Sequence, residues 1–142
     1  DGNAKFADAR VIDKKTGKPH DFIDDRFITW PQAREMTEAG MEIGSHGISH
    51  NSLTRMPLDE ARKEIFESKR IIEDKTGRPC RHFSFPFGSM ADYNDKLIQC
   101  VKDAGYKSCM LNVHGYNHPE RDNFCFKRII MNERTNPDYL LG

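Results

Sequence analysis

The sequence of 142 residues is 37% hydrophobic and 31% charged, which suits one soluble domain with a modest core. Its 22 lysine and arginine residues balance its 22 aspartate and glutamate residues. Because a nucleic-acid-binding surface needs an excess of positive charge, this neutral balance predicts no nucleic-acid partner. The apolar runs are far shorter than the roughly 20 residues of a membrane span, so no span is expected either.

The chain divides into three parts. Residues 1–28 are polar and rich in turn-forming residues, and they start without a methionine or an apolar leader. The regular hydrophobic pattern begins at Thr29 and continues to about Met131, and residues 132–142 follow as a tail. We therefore expect a polar loop or insertion, a single core over residues 29–131, and a tail, in a fragment or a processed product.

Two segments carry clear start and stop signals of helices. Thr29 and Gln32 form a capping-box pattern, and Gly40 is placed to end this first helix. The second helix follows Pro57, has apolar residues at helical spacing and ends at Gly77. Both segments are predicted to be amphipathic helices with one face in the core.

A third helix and four short strands complete the pattern. The helix covers about residues 93–104 and ends before Gly105. The strand candidates are residues 41–45, 81–85, 107–111 and 124–131. Alternation of strands and helices is typical of α/β proteins, in which parallel strands are joined by helical crossovers. In such folds the functional groups lie where strands end and loops begin.

Two histidines follow the first strand candidate directly. His46 and His50 are four residues apart, with the small residues Gly47 and Ser49 between them. If this segment forms a helical turn, both imidazoles face the same side and can bind one cation. The same spacing also arises by chance in a chain with six histidines. A catalytic zinc site needs three protein ligands, so the pair predicts two ligands of a larger site.

The second strand candidate leads into a motif of aromatic residues, proline and glycine. Residues 81–88 begin with Arg81, and the proline ends the strand because it has no N–H for the sheet. We expect the rings of Phe85 and Phe87 to lie on opposite faces, one in the core and the other at a groove. Arg81 is either an exposed charge, which the usual exposure of arginine favours, or a buried partner of a carboxylate.

The cysteines form no C-x-x-C pair, so a structural zinc knuckle is not predicted. They are Cys80, Cys100, Cys109 and Cys125. Buried free thiols are the favoured interpretation, because cysteine packs as a small hydrophobic residue, and one disulfide is the alternative.

Taken together, these segments resemble the polysaccharide deacetylase family, also called the NodB-homology domain or carbohydrate esterase family 4. Residues 29–50 are similar to its helix, strand and H-(S/T)-x-x-H-type metal motif, although Gly47 occupies the Ser or Thr position. Residues 81–88 are similar to its R-x-F-x-x-P-x-G groove motif. Residues 105–108 and 122–129 resemble the tail of the branch that acts on bacterial exopolysaccharides.

The resemblance implies a fold, an activity and roles for several residues. The fold is a distorted (β/α) barrel, and the activity is hydrolysis of N-acetyl groups on an aminosugar polysaccharide. His46 and His50 would hold a divalent metal, with zinc expected and cobalt, nickel or iron as alternatives. Arg81 would orient the catalytic aspartate, and His114 is a candidate general acid. The substrate groove would be formed by Phe85, Pro86, Phe87 and Gly88.

One family motif has no full counterpart in this chain. The T-F-D-D-G motif supplies the base and the third metal ligand. Asp1 and Gly2 match at most its last two residues, and Asp24 and Asp25 are followed by arginine rather than glycine. We therefore expect the first strands of the barrel to lie upstream and this segment to be inactive alone. The exposed sheet edges of such a part-barrel predict an oligomer or a strand-swapped assembly.

Three other functions stay open on the sequence. A carbohydrate-binding pseudoenzyme would keep the groove without the base. A related barrel hydrolase would cut another non-peptide C–N bond, such as a cyclic amide, and a structural fragment would bind metal without turnover. His114 and His118 have a plain alternative as well, because polar loops carry surface histidines without function. The resemblance alone suggests a location outside the cytoplasm, at the cell envelope.

Overall fold

The computed structural model describes residues 28–120 and 122–131. The elements follow each other along the chain as α1 (Trp30–Glu38), a 3-10 helix (Leu53–Arg55), α2 (Leu58–Thr76), β1 (His82–Ser84), α3 (Asp95–Asp103), β2 (Ser108–His114) and β3 (Phe126–Arg128). No helix within these two ranges is long and apolar enough to cross a bilayer. Most of the predicted polar segment 1–28 and the tail 132–142 lie outside the described residues.

The helices begin and end where their capping residues predict. At α1, the Thr29 side chain accepts from the Gln32 backbone at 3.4 Å, and the Gln32 side chain accepts from the Thr29 backbone at 2.7 Å. Gly77 ends α2 with a left-handed φ of 69°. Asn94 caps α3 by accepting from the Leu97 backbone at 3.0 Å. The three predicted helices are therefore confirmed.

The three strands form one parallel sheet in the order β1-β2-β3. Ser45 adds a single parallel bridge on the other side of β1, where its N–H donates to His82 at 2.8 Å and its carbonyl accepts from Ser84 at 2.9 Å. The strand predicted over residues 41–45 is therefore a one-residue bridge. β1 is only three residues long, so its edge has room for little more than these two hydrogen bonds.

The core lies between the sheet and the helices. Alternate residues in and after the strands point into it and are at most 1% exposed: Phe83, Phe85, Cys109 and Leu111. Ala61 and Ile65 of α2 pack against this cluster with no exposed surface. The two-residue period of a strand turns His82, Ser84 and Met110 to the opposite face of the sheet. The predicted α/β class with parallel strands and helical crossovers is confirmed.

All four cysteines are free, as the favoured interpretation predicts, and Cys80, Cys100 and Cys109 are buried. Burial raises the pKa of Cys80 to about 11 and the pKa of Cys109 to about 12. Because a thiolate is the reactive form, these two thiols are inert core residues at neutral pH. Cys125 is only half-buried.

Candidate functional site

The two histidines of the predicted metal motif lie side by side at the carboxyl end of the sheet. The ring centroids of His46 and His50 are 5.0 Å apart, with 61° between the ring planes. His46 follows the Ser45 bridge directly, and its ring reaches the carbonyl of Ser84, the last residue of β1. The pair therefore lies where parallel sheets collect their functional groups.

The path between the histidines is a loop and not the helical turn that the spacing suggested. Gly47 has a φ of 80° and His50 has a φ of 56°, and both values are left-handed. A Cβ at position 47 would be strained and would lie 3.3 Å from the carboxylate of Glu64. These left-handed residues, rather than helical spacing, bring the two rings together.

Glu64 on α2 holds this loop in place. Its Oε2 accepts hydrogen bonds from the N–H of Ile48 at 2.7 Å and from the N–H of Ser49 at 2.9 Å. Ser45 adds another anchor, because its Oγ accepts from the N–H of Gly47 at 3.3 Å. Glu64 was not among the predicted site residues, since its partners are 15 and 16 residues away and no local pattern marks the contact.

The ring of His46 is held through one nitrogen, which leaves the other nitrogen open. Its Nδ1 lies 2.7 Å from the Ser84 carbonyl oxygen. Since a carbonyl can only accept, Nδ1 carries the hydrogen and Nε2 keeps its lone pair, the usual arrangement of a metal-binding histidine. Partial burial lowers the pKa of His46; the Ser84 hydrogen bond opposes this shift, and the charges of His50 and Arg128 add to it. A lowered pKa favours the neutral ring that binds metal.

The two rings of the groove motif separate into a buried one and an exposed one. Phe85 is fully buried, with its ring centroid 6.0 Å from that of Tyr93, whereas Phe87 is 55% exposed. In a continuous strand, residues two apart share one face, so strand alternation does not explain this division. The turn at Pro86 explains the division, because Phe87 follows this turn with a left-handed φ of 63°.

Phe87 and His50 contact each other across the site. Their ring centroids are 5.2 Å apart at 67°. Among the residues that the structure describes, these are the two non-glycine residues with positive φ. Such backbone strain collects at functional sites. Beside Phe87 lies a cavity of about 640 Å³ whose lining includes Asn51, Arg55 and Asp92.

Gly88 lets the turn pass close to β2. Its φ is 66°, and a Cβ there would lie 2.7 Å from the backbone nitrogen of Asn112. That nitrogen donates to the Gly88 carbonyl at 2.8 Å. Any side chain at this position would push the turn away from the sheet, so Gly88 shapes the site by having none.

Arg81 lies at the opposite end of β1 from the histidine pair. Its Nη1 donates to Oε1 of Glu42 at 2.6 Å, and its side chain is half exposed. Because a strand rises by about 3.3 Å per residue, the length of β1 separates this ion pair from the His46 ring. Arg81 directly precedes β1 and so lies at its amino end. Its predicted role in orienting an aspartate stays a prediction, because that aspartate is expected outside the described residues.

A different arginine reaches the histidine pair. Arg128 of β3 is in register with His114 of β2, and its Nε donates to the carbonyl of Leu111 at 2.8 Å. With His46 and Ser84, it lines a cavity of about 510 Å³ on the face of the sheet away from the helices. No role was predicted for Arg128, because only the strand register shows which arginine faces the site.

His114 is the last residue of β2 and not part of the following loop, where the sequence pattern had placed it. Its Nδ1 accepts a hydrogen bond from the N–H of Ile130 at 3.3 Å. A neutral ring in this position therefore carries its hydrogen on Nε2. His114 thus lies at the same end of the sheet as the histidine pair, whereas His118 lies in the exposed loop that follows.

The histidine pair is not part of a complete set of metal donors within the described residues. Within residues 28–120 and 122–131, no group of three or more His, Cys, Asp or Glu residues is placed to hold a metal ion. Two imidazoles, one of them fixed by a carbonyl, fit part of a zinc centre. For the pair to hold such a metal, a third protein ligand would have to come from outside the described residues.

A parallel α/β fold with paired histidines at the carboxyl end of its sheet defines part of a NodB-like barrel. The profile of the polysaccharide deacetylase family matches residues 6–109. The chain belongs to the polysaccharide deacetylase family. The match begins upstream of Thr29, where the sequence pattern had set the start of the family-like core.

Relatives of known name and structure agree with this family. The Bacillus subtilis polysaccharide deacetylase homologue YxkH is 23% identical over 119 residues, which are 84% of this chain and 39% of YxkH. The Streptococcus pyogenes deacetylase PplD, solved with acetate, has a TM-score of 0.73 and 24% identity over 80% of this chain and 49% of that one. The deacetylase domain of BpsB from Bordetella bronchiseptica has a TM-score of 0.66 and 23% identity, over 87% of this chain and 55% of that one. The predicted fold is confirmed, and the chain spans roughly two fifths to just over half of these relatives.

Proposed function

We propose that the full-length protein is a metal-dependent hydrolase that removes N-acetyl groups from an aminosugar polysaccharide. One observation carries the proposal: His46 and His50 lie ring to ring at the carboxyl end of a parallel sheet in a chain of the polysaccharide deacetylase family. The exposed ring of Phe87, the cavity that it lines and the cavity beside His46 form an open surface, which suits a polymer. A hydrolase for small cyclic amides needs a more enclosed pocket.

In this proposal His46 and His50 supply two of the three protein ligands of a zinc ion, with cobalt, nickel or iron as alternatives. Such a metal would supply Lewis acidity toward the acetyl carbonyl and a lower pKa for a bound water molecule. The residues of this chain prepare the site for it. Ser84 orients the His46 ring, and Glu64 fixes the loop between the two histidines.

The remaining roles follow from position. His114 is the proposed general acid, because its Nε2–H can protonate a leaving amine at this end of the sheet. The general base is expected to be an aspartate outside the described residues. Phe87 is the proposed wall of the substrate groove, and Phe85 supports the wall from the core. Pro86 and Gly88 shape the turn that lies between these two rings and the sheet.

Acetate release tests the proposal. The full-length protein, loaded with zinc, is incubated with oligomers of N-acetylated aminosugars, and we expect acetate release that a chelator abolishes. His50→Ala should lose most of this activity, because it removes a proposed metal ligand. His118→Ala is the matched control, since His118 lies in the exposed loop, and it should keep the activity. A zinc-loaded wild-type protein that releases no acetate from any such oligomer would contradict the proposal.

Carbohydrate binding without turnover is the second candidate. It is favoured by the exposed ring of Phe87, which lies beside an open cavity of about 640 Å³. In that case calorimetry would detect oligosaccharide binding by the full-length protein, Phe87→Ala would weaken it, and no acetate would appear. Binding accompanied by acetate release would exclude this candidate.

We also propose that the chain associates through its sheet edges into an oligomer or a strand-swapped assembly. In the described sheet, β3 is one edge, and beyond β1 only Ser45 is paired. Unpaired strand edges tend to bind other chains. Light scattering that finds only monomers would contradict this proposal. The cell envelope is the proposed location, on the family resemblance alone.

A further inference from the structure

The backbone of β3 has one side that faces away from β2. Phe126 is in register with Met110, and the carbonyl of Arg128 accepts from the N–H of Gly115 at 3.3 Å. Successive residues of an extended strand direct their backbone N–H and C=O groups to opposite sides. The N–H and C=O of Lys127 therefore point outward, where the edge of a sheet normally offers them to another strand.

Asn117 binds both of these outward groups. Its Nδ2 donates to the carbonyl of Lys127 at 2.8 Å, and its Oδ1 accepts from the N–H of Lys127 at 2.9 Å. A side-chain amide carries the same donor and acceptor as a peptide group, so Asn117 pairs with the edge as a residue of a neighbouring strand would. The N–H of Lys127 is thereby unavailable to a strand from another chain.

Gly115 lets the loop after β2 reach the outer side of β3. Its N–H bonds to the inner side of β3, whereas Asn117 bonds to the outer side, so the loop crosses the strand between these residues. Gly115 has a φ of 146°, and a Cβ there would lie 3.0 Å from Cδ of Lys127. A side chain at this position would press against Lys127, and the crossing therefore depends on glycine.

The residues that follow β3 make an open edge hazardous. Ile129, Ile130 and Met131 are 42%, 41% and 47% exposed. Apolar and β-branched residues beside an open strand edge are typical of sites where one chain adds to the sheet of another. Without Asn117, this edge would offer open hydrogen-bonding groups together with apolar side chains.

We propose that Asn117 closes the outer edge of β3 to strand addition by a second copy of this chain. The proposed sheet-edge association then has the outer side of the Ser45 bridge as its route. In the part of the chain that the structure describes, the backbone groups of Gly44 and His46 on that side form no hydrogen bonds. This route rests on the proposed association, whereas the closure of β3 does not.

Light scattering of the full-length protein over a range of concentrations tests the closure. Asn117→Ala removes both hydrogen bonds, so we expect its mean mass to rise about two-fold above that of the wild-type protein as second copies add. Asn123→Ala is the matched control. Asn123 is exposed and precedes β3, and among the described residues it bonds through its backbone carbonyl, which the variant keeps. Its mass should equal that of the wild-type protein.

Hydrogen exchange of the Lys127 N–H, followed by mass spectrometry of the peptide that covers residues 126–128, gives a local readout. At low concentration, Asn117→Ala should exchange this hydrogen about five-fold faster, because one hydrogen bond is lost. A role of Asn117 in the loop alone would lower the melting temperature and leave the mean mass unchanged.

Equal masses of folded Asn117→Ala and Asn123→Ala, or unchanged exchange at Lys127, would overturn the inference. Protection of residues 126–128 when the wild-type protein associates would also overturn it, because the second copy would then use β3. If the alanine variant does not fold, Asn117→Asp serves for the same comparison, since it keeps the acceptor and loses the donor. The mass of the wild-type protein decides the proposed association separately.

Discussion

The amino and carboxyl ends of the parallel sheet both carry histidine and arginine side chains, and the two ends differ in how these side chains are paired. At the amino end, Glu42 binds Arg81 at 2.6 Å and His82 at 2.9 Å, and the other ring nitrogen of His82 lies 2.8 Å from the hydroxyl of Ser108. Each group there has a partner. This cluster therefore has the properties of a structural ion-pair network.

At the carboxyl end, polar groups remain open among the described residues. His46 keeps the lone pair of Nε2, and Arg128 keeps its terminal nitrogens. The backbone there is also strained, with positive φ at His50 and Phe87. A paired cluster stabilises a fold, whereas open donors held by a strained backbone are suited to binding. The difference argues for a binding site at the carboxyl end and against one at the amino end.

The largest effect on the carboxyl end is expected from Gly88→Ala. The new Cβ would lie 2.7 Å from the backbone nitrogen of Asn112 and would sit on a φ of 66°. We expect a loss of unfolding free energy of more than about 2 kcal/mol, from the clash and the left-handed backbone together. Urea denaturation measures this loss.

Gly77→Ala is the control for Gly88→Ala. Gly77 has a similar φ of 69°, and a Cβ added there would meet nothing within 4 Å. Gly77→Ala should lose about 1 kcal/mol of unfolding free energy, because only the left-handed backbone opposes the new side chain. Equal losses in the two variants would mean that the close approach to β2 does not matter.

Glu64→Ala should have the next largest effect, on metal affinity rather than on stability. It removes the acceptor that holds Ile48 and Ser49, so the loop no longer fixes the two rings. We expect zinc affinity of the full-length protein to fall by about ten-fold, as for other partners that orient metal ligands. Glu60→Ala, one turn earlier and exposed on α2, is the control. Unchanged affinity in Glu64→Ala would show that the loop holds its shape without this contact.

Much of the fold could be predicted because its signals are local. The capping box at Thr29 and the glycine at position 77 fix helix ends within a few residues of chain. The histidine pair was also predicted, from its spacing together with its position after a strand candidate. Its geometry was not, because the loop depends on a left-handed His50 and on Glu64 from another element. No sequence pattern shows a contact of that kind.

Arg81 and Arg128 also show that a sequence pattern does not predict contacts between distant elements. Arg81 belongs to a recognisable motif, yet its side chain points to Glu42 at the amino end of the sheet. Arg128 lies in the tail-like segment 122–129, for which no site role was predicted, and nevertheless lines the cavity beside His46. Which arginine reaches a site depends on strand register and direction, and these are properties of the folded sheet.

Glu42→Gln should have a smaller effect, on the acid stability of the amino end. The pKa of Glu42 is held below its ordinary value of 4.5, so its contribution to stability is present above that pH and is lost as the pH falls through the folded-state pKa. Glu42 is exposed, so we expect only a slight lowering of the melting temperature at pH 7 and a smaller one at acid pH. An equal lowering at both pH values would mean that the ion pair is not the cause.

The smallest effect is expected when the folded protein is treated with an alkylating reagent for thiols. Because burial raises the pKa of Cys80 to about 11 and of Cys109 to about 12, we expect neither to react with iodoacetamide at pH 8 in the folded protein. Both should react after denaturation, as mass spectrometry of the alkylated peptides would show. Rapid labelling of either in the native state would mean that the core opens easily.

Metal content of matched histidine variants tests the contrast between the two ends most directly. Full-length wild-type protein, His46→Ala and His82→Ala are each loaded with zinc, passed through a desalting column and analysed by mass spectrometry for bound metal. We predict about one zinc ion per chain in the wild-type protein and in His82→Ala, and almost none in His46→Ala. Equal zinc in His46→Ala and the wild-type protein, or loss of zinc in His82→Ala alone, would contradict a metal site at the carboxyl end of the sheet.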